Sequence, residues 1–191
     1  MERMTARTLV LVSLILAVPA SSSLAQSPAP AQPRPPQSYA AFLQAQYASL
    51  KRYIIGSAEK MPAERYAFKP VPEVMTYAGL LGHIIDTQYS YCNAVKGGSN
   101  PAAGKGLDKL TDKAVLVPAV IEAFAYCDDA FAGLTNENAL EVLTIGAAPN
   151  QRQVARANQL TMVIAHGNEH YGNLVTYMRI HGIVPPSSSP K

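Results

Sequence analysis

Two histidines stand four residues apart near the end of the chain, at His166 and His170. In a helix this spacing stacks both imidazoles on one side. At about 100° per residue, His170 falls within the apolar face of that helix and His166 on its flank. The apolar face comprises Leu160, Val163, Ile164, Gly167, Tyr171, Leu174 and Met178. Because neutral imidazole is a good ligand for Zn, Ni, Fe or Cu, the pair predicts a metal held between this helix and a neighbour.

A histidine pair alone can also be incidental, so the metal hypothesis needs a third ligand. His83 is the candidate, at the edge of the apolar face of an earlier helix; by itself it would be a hydrogen-bonded boundary residue. His181 lies eleven residues past His170, about 16 Å along a helix, which is too far to share the metal. We expect His181 to interact with the last carbonyls of its helix, where a cation is favoured.

The same segment matches H-x-x-E-H, the inverted zinc-protease motif. That class needs an acidic third ligand downstream, and no Asp or Glu follows Glu169 in the sequence. Glu169 is also expected to project away from the apolar face, towards solvent. We therefore reject the protease interpretation.

Four helices of roughly 20 residues are predicted to position these histidines, which indicates an all-α four-helix bundle. Pro118 either kinks the third helix or marks its true start, and residues 140–145 could form a short extended piece. The predicted order is a helix from Ser38, an ordered loop over 61–73, a helix from near Thr76 to Lys96, a Gly-rich crossover to about Thr111, a helix to about Gly133 and a helix from near Val154 to His181.

The two ends of the chain are predicted to lie outside the bundle. Residues 1–25 combine arginines, an eleven-residue apolar run and a small-x-small site, which is typical of a secretory signal peptide and too short for a membrane span. Residues 26–37 are expected to be a Pro-rich linker and residues 185–191 a disordered tail. The bundle then covers residues 38–184, and the chain is expected to be exported, periplasmic or secreted.

The net charge and the motifs of the sequence argue against several classes of function. The 191 residues carry a net charge of +3, too small and too evenly spread for a nucleic-acid footprint. No phosphate-binding Gly-rich loop, GxSxG elbow or CxxC pair is present, which argues against nucleotide hydrolysis, α/β-hydrolase chemistry and thioredoxin-type redox work.

The chain resembles the DinB-like (YfiT-type) family of small metal-binding bundles. The resemblance rests on the segment Leu80 to Tyr89 around His83, on the closing segment His166 to Asn173, and on the turn from Ala58 to Pro62 with Phe68-Lys69-Pro70. It implies up-down-down-up topology and one divalent metal ion (Zn, Ni, Fe or Mn) on His83, His166 and His170, with water completing the coordination.

Some members of that family transfer low-molecular-weight thiols, and dimers are common, so the resemblance also implies a homodimer. This chain has Tyr171-Gly172-Asn173 where many relatives have Arg-Gly-Gln. That departure and the predicted export weaken a thiol-transferase assignment and leave the metal site untouched.

The two cysteines, Cys92 and Cys127, fall late in the second and third helices. Export makes a disulfide chemically feasible. If those helices run parallel, as the resemblance implies, the two thiols could meet at one level; the alternative is two buried free thiols.

The sequence thus favours an exported metal-dependent enzyme, a hydrolase or a transferase of an unknown small-molecule substrate. The alternatives are a non-catalytic metal- or ligand-binding, stress-associated bundle, and a bundle that has lost its metal. Asp86, Gln88 and Asn173 are candidates to support the imidazoles or to touch substrate.

Overall fold

The structure is a computed structural model that describes residues 38–189. The predicted signal peptide and the predicted linker lie outside these residues. The described elements are helices α1 (Tyr39–Lys60), α2 (Tyr77–Lys96), α3 (Lys113–Ala132) and α4 (Arg156–Ile180), strands β1 (Val142–Ile145) and β2 (Arg152–Ala155), and 3-10 turns at Ala63–Arg65, Leu107–Lys109 and Pro186–Ser188. The all-α four-helix bundle is confirmed.

Side-chain caps fix where three of the helices begin. The hydroxyls of Ser38 and Thr76 accept hydrogen bonds from the backbone N–H groups of Ala41 (3.2 Å) and Gly79 (3.0 Å). These bonds satisfy donors that have no partner inside the helix. The carboxylate of Asp112 caps α3 in the same way, so α3 begins at Lys113 and Pro118 lies within it.

Contacts between the helices establish their directions. Helices α1 and α4 run parallel, since Tyr39 meets Thr161 near their starts and Tyr53 stacks on Tyr171 further along, with 5.2 Å between ring centroids. Helices α2 and α3 also run parallel and are joined late in each helix by the Cys92–Cys127 disulfide, with 5.4 Å between Cα atoms. The result is the expected up-down-down-up topology. The two cysteines form a disulfide and are not two buried free thiols.

Because α2 and α3 run in the same direction, the segment that connects them must pass back along the whole length of the bundle. The crossover over 97–112 does so, and its turn at Leu107–Lys109 packs on α2 at Gly82. A Cβ atom on Gly82 would collide with the backbone carbonyl of Leu107 and lie 2.8 Å from the Cα atom of Asp108. The missing side chain at Gly82 therefore lets the crossover lie against the helix beside His83.

The core lies between the four helices and includes several large aromatic side chains, such as Tyr66, Tyr77 and Phe124. The face of α4 that its periodicity predicted to be apolar is buried in full: Leu160, Val163, Ile164, Gly167, Tyr171, Leu174 and Met178. No helix in residues 38–189 is both long and apolar enough to cross a membrane.

Two segments differ from the expectation. Strand β1 lies within the predicted extended piece, but it pairs antiparallel with β2, which was not predicted, and α4 consequently starts at Arg156. Residues 185–189 belong to the predicted disordered tail and include the 3-10 turn Pro186–Ser188. Pro190 and Lys191 lie outside the described residues. The backbone N–H of Ser187 donates to the Tyr171 hydroxyl (3.0 Å), and Pro186 packs against Gly56.

Candidate metal centre

The three histidines singled out from the sequence meet where α2 and α4 pack side by side. His166 Nε2 lies 3.2 Å from His83 Nε2 and 3.1 Å from His170 Nε2. One ligand atom from each residue lies within 4.8 Å of the other two. The antiparallel arrangement of α2 and α4 brings His83 level with the pair on α4. All three side chains are half-buried.

Burial and mutual repulsion keep the rings on α4 uncharged. Burial is the main cause that lowers the pKa of His166, and the neighbouring His83 lowers it further. The pKa of His170 is lowered by burial and then by His166 and His83, while Glu169 opposes both shifts. Neutral imidazole is the form that offers a lone pair to a cation.

The spacing of the nitrogens suits a metal ion better than a hydrogen-bond network. A neutral imidazole Nε2 carries either one proton or one lone pair. His166 can thus satisfy only one of its two close Nε2 contacts at a time, whereas a cation accepts a lone pair from each ring. Tetrahedral ligands at a Zn–N distance of about 2.0–2.1 Å stand about 3.3–3.4 Å apart. The observed 3.1 and 3.2 Å separations are close to that value.

The described part of the chain offers no fourth protein ligand to the cluster. Within residues 38–189, no cysteine, aspartate or glutamate lies close enough to join the three imidazoles. The edge of the Tyr91 ring faces His166, with 5.8 Å between centroids, and so forms part of the wall. Three protein ligands with a free position are the pattern of catalytic zinc sites, whereas structural sites have four.

Among the described residues, those expected to support the imidazoles form no hydrogen bond with them. No hydrogen bond links Asp86, Gln88 or Asn173 to the three rings in the described part of the chain. Gln88 is buried beside Cys127. Burial and the nearby Asp108 raise the pKa of Asp86, while His83 opposes the shift, so Asp86 lies within electrostatic reach of His83 without a hydrogen bond to it among the described residues. The Nδ1 atom of His170 is buried with no partner among the described residues.

His181 lies apart from the cluster, as its distance along α4 required. It ends the helix, but through its backbone N–H, which donates to the Met178 carbonyl (3.0 Å). Its imidazole packs edge-on against Phe68 with 4.3 Å between centroids. The expected contact of the imidazole with the last carbonyls is therefore replaced by an aromatic contact.

Sequence reasoning missed the polar cleft that begins at Tyr91 and continues away from the cluster to Arg152 and Gln159. One signal was available: Gln159 precedes His166 by seven residues, which places both on one stripe of α4. The approach of β2 to that stripe depends on the hairpin, which the sequence did not predict.

Comparison with known proteins agrees with this geometry. Residues 28–174 match the model of the DinB superfamily. YjoA of Bacillus subtilis strain 168, an uncharacterized protein, is 28% identical over 126 residues, covering 65% of this chain and 79% of YjoA.

Solved structures show the same fold. A DinB-like protein from Bacillus cereus ATCC 10987 superposes with a TM-score of 0.61 at 14% identity, over 75% of this chain and 93% of its own. The Bacillus subtilis YjoA structure gives 0.58 at 24% identity, over 78% and 99%. YfiT of Bacillus subtilis, described as a probable metal-dependent hydrolase with an unusual four-helix bundle topology, gives 0.54 at 12%, over 80% and 94%. With its family-model match spanning most of the bundle, this chain belongs to the DinB superfamily.

Proposed function

We propose that His83, His166 and His170 hold one divalent metal ion and that the protein is a metal-dependent hydrolase or transferase. The observation that carries the proposal is the convergence of three Nε2 atoms with no fourth protein ligand among the described residues. The description of YfiT as a probable metal-dependent hydrolase supports the same class. Zn, Ni, Fe and Mn are the candidate ions.

The chain's own residues would prepare this chemistry in two ways. The lowered pKa values of His166 and His170 favour the neutral form of both rings. Because imidazole binds a metal as the neutral ring, the three ligands would leave the positive charge of an ion undiminished. A bound divalent ion supplies a Lewis acid that polarises an oxygen or sulfur group and acidifies water. Because the three side chains are only half-buried, the cluster is not sealed from small molecules in the solvent.

Metal analysis of matched variants tests the ligand set. The purified protein is exposed equally to Zn, Ni, Fe and Mn, and its metal content is measured by elemental analysis. We expect about one ion per chain, lost in His83→Gln and in His170→Gln. His181→Gln is the control, since it removes an imidazole from the end of the same helix and should leave the metal in place. A parent protein that stays metal-free after this exposure would contradict the proposal.

Enzyme activity requires a separate assay. The metal-loaded protein is screened for ester and amide hydrolysis and for transfer of low-molecular-weight thiols to an electrophile. We expect at least one activity to disappear on chelation and in His83→Gln. Metal binding without any such activity would favour the non-catalytic alternative.

We also propose that the protein is exported. The signal-peptide pattern of residues 1–25 supports this, and so does the disulfide, because disulfides persist in oxidising compartments. N-terminal sequencing of the protein recovered from the periplasmic extract or from the culture medium should begin at Gln26. Recovery of uncleaved chain in the cytoplasm only would contradict export.

A further inference from the structure

A polar cleft lies between α2, α4 and the β-hairpin, beside the histidine cluster, and none of the three histidines lines it. It has a volume of about 340 Å³, sufficient for a small ligand. Tyr91 connects the two places, because it lines the cleft and its ring faces His166. At 1.5 Å per residue, Gln159 in the cleft lies about 10 Å along α4 from His166.

Two side chains in the cleft lack partners. Gln159 is only 4% exposed, yet its amide makes no hydrogen bond among the described residues. Among the described residues, the buried polar atoms without a partner are on His170 and His181 and not on Gln159, so the Gln159 amide is left free at the cleft wall to hydrogen-bond a ligand. Arg152 of β2 lines the same cleft and forms no ion pair within residues 38–189, whereas nearby Arg156 is paired with Glu141.

The remaining polar groups favour negative charge. The Oδ1 atom of Asn100 accepts from the backbone N–H of Ala102 (2.9 Å), which leaves its Nδ2 donor. Asn93 is already satisfied by Tyr126 and the Gly98 carbonyl. Among the described residues, no aspartate or glutamate lines the cleft. The free side-chain groups are therefore a guanidinium, two amides and the hydroxyls of Ser90 and Tyr91. The guanidinium binds a carboxylate or a phosphate well.

We propose that this cleft is an anion-binding subsite, which holds a carboxylate or phosphate of a substrate whose reacting group lies at the histidine cluster. The link to the reacting group rests on the proposed function; the anion site itself does not. The substrate class is then a small elongated molecule with a metal-seeking group at one end and an anionic group about 10 Å away.

The anion site is tested on the metal-free protein, so that the result is independent of the metal. Two-dimensional NMR follows the Arg152 Nε–H and the Gln159 side-chain amide during additions of glutarate, inorganic phosphate or the neutral 1,5-pentanediol. We expect saturable shifts with glutarate or phosphate and none with the diol; which anion binds more tightly identifies the group. Absence of saturable shifts with both anions overturns the proposal.

Matched variants locate the binding. Arg152→Gln should weaken anion binding at least tenfold, as expected for loss of a charge-assisted contact, whereas Arg179→Gln at the far end of α4 should not. Asn100→Asp keeps the acceptor for Ala102 but places a negative charge in the cleft, so it should abolish binding. Asn173→Asp makes the same charge change at an exposed position about 21 Å along α4 from Gln159 and should have little effect. Equal effects within either pair overturn the proposed location.

A second measurement tests the link to the cluster. Cobalt-loaded protein is titrated with 6-mercaptohexanoate and with 6-mercaptohexanol, and the thiolate-to-cobalt absorption band reports binding. We expect the carboxylated thiol to bind at least tenfold more tightly, and the difference to vanish in Arg152→Gln. Equal affinities, or no binding of either thiol, overturn the link. Failure of the proposed function appears separately, as absent metal beside an intact glutarate response.

Discussion

Replacing Gly82 with alanine is expected to lower the melting temperature, although alanine is the better helix former. The new Cβ would meet the backbone carbonyl of Leu107 and lie 2.8 Å from the Cα atom of Asp108. These are backbone atoms, and the turn that holds them is closed by the hydrogen bond from the Leu110 N–H to the Leu107 carbonyl (3.2 Å). The crossover must therefore shift as a unit.

The magnitude follows from two opposing terms. Overpacking costs about 1–3 kcal/mol, and a backbone collision belongs at the upper end. The gain in helix propensity from glycine to alanine is about 1 kcal/mol, which leaves a net loss of about 2 kcal/mol. For a domain of this size, each kcal/mol shifts the melting temperature by about 2–4 °C, so we expect Gly82→Ala to melt about 4–8 °C lower.

Gly172→Ala provides the matched control. Gly172 is an exposed position inside α4, and a Cβ there would meet nothing within 4 Å. The same substitution should therefore keep only the propensity gain and melt about 2–4 °C higher. Both variants are measured by circular dichroism in the oxidised, metal-free state. Equal melting temperatures for the two variants would refute the claim that Gly82 is required by the packing of the crossover.

Two further perturbations act on the disulfide and on the imidazoles. Replacing Cys92 and Cys127 together with alanine removes a link between residues 35 apart and should cost about 2–4 kcal/mol, measured by urea denaturation against the oxidised parent. Without metal, the free energy of unfolding should rise from about pH 5 to pH 7. The folded pKa values of His166 and His170 lie below the unfolded value of about 6.5, so the unfolded chain binds more protons in that range.

Each of these two predictions has an outcome that would contradict it. Reduction of the parent should reproduce the loss seen in the double cysteine variant, and an unchanged urea midpoint in both would contradict the bridge. For the pH dependence, His166→Gln combined with His170→Gln should flatten the slope between pH 5 and pH 7. A slope that is unchanged in this variant would assign the effect to other groups.

Much of the fold could be predicted from local signals. Cap residues such as Ser38 and Thr76 mark helix starts through short-range hydrogen bonds, and the period of apolar residues on α4 marks its buried face. The four-residue spacing of His166 and His170 likewise places both on one side of α4, because helical geometry alone determines that arrangement. His83 was a candidate from its place at the edge of the apolar face of α2, but its assignment to the metal and the directions of the helices came from the family resemblance, since neither follows from periodicity.

The parts that were missed depend on contacts between distant segments. Residues 185–189 have a composition typical of disorder, but the Lys60 ammonium donates to Ser189 (2.6 Å) and the Tyr171 hydroxyl accepts from Ser187, which holds the segment against α1 and α4. Strand β2 is short and polar, so only its pairing with β1 identifies it. The cleft around Gln159 exists because that hairpin reaches α2 and α4.

X-ray absorption spectroscopy of the zinc-loaded protein tests the central claim most directly, because it identifies the atoms that contact the metal. We predict about one zinc per chain, bound by three imidazole nitrogens at about 2.0–2.1 Å with a non-protein light atom in the remaining position. His83→Gln should remove the ordered imidazole signal, while His181→Gln should leave it unchanged. Four protein ligands, sulfur at the metal, or an imidazole signal that survives His83→Gln would contradict an open site built from His83, His166 and His170.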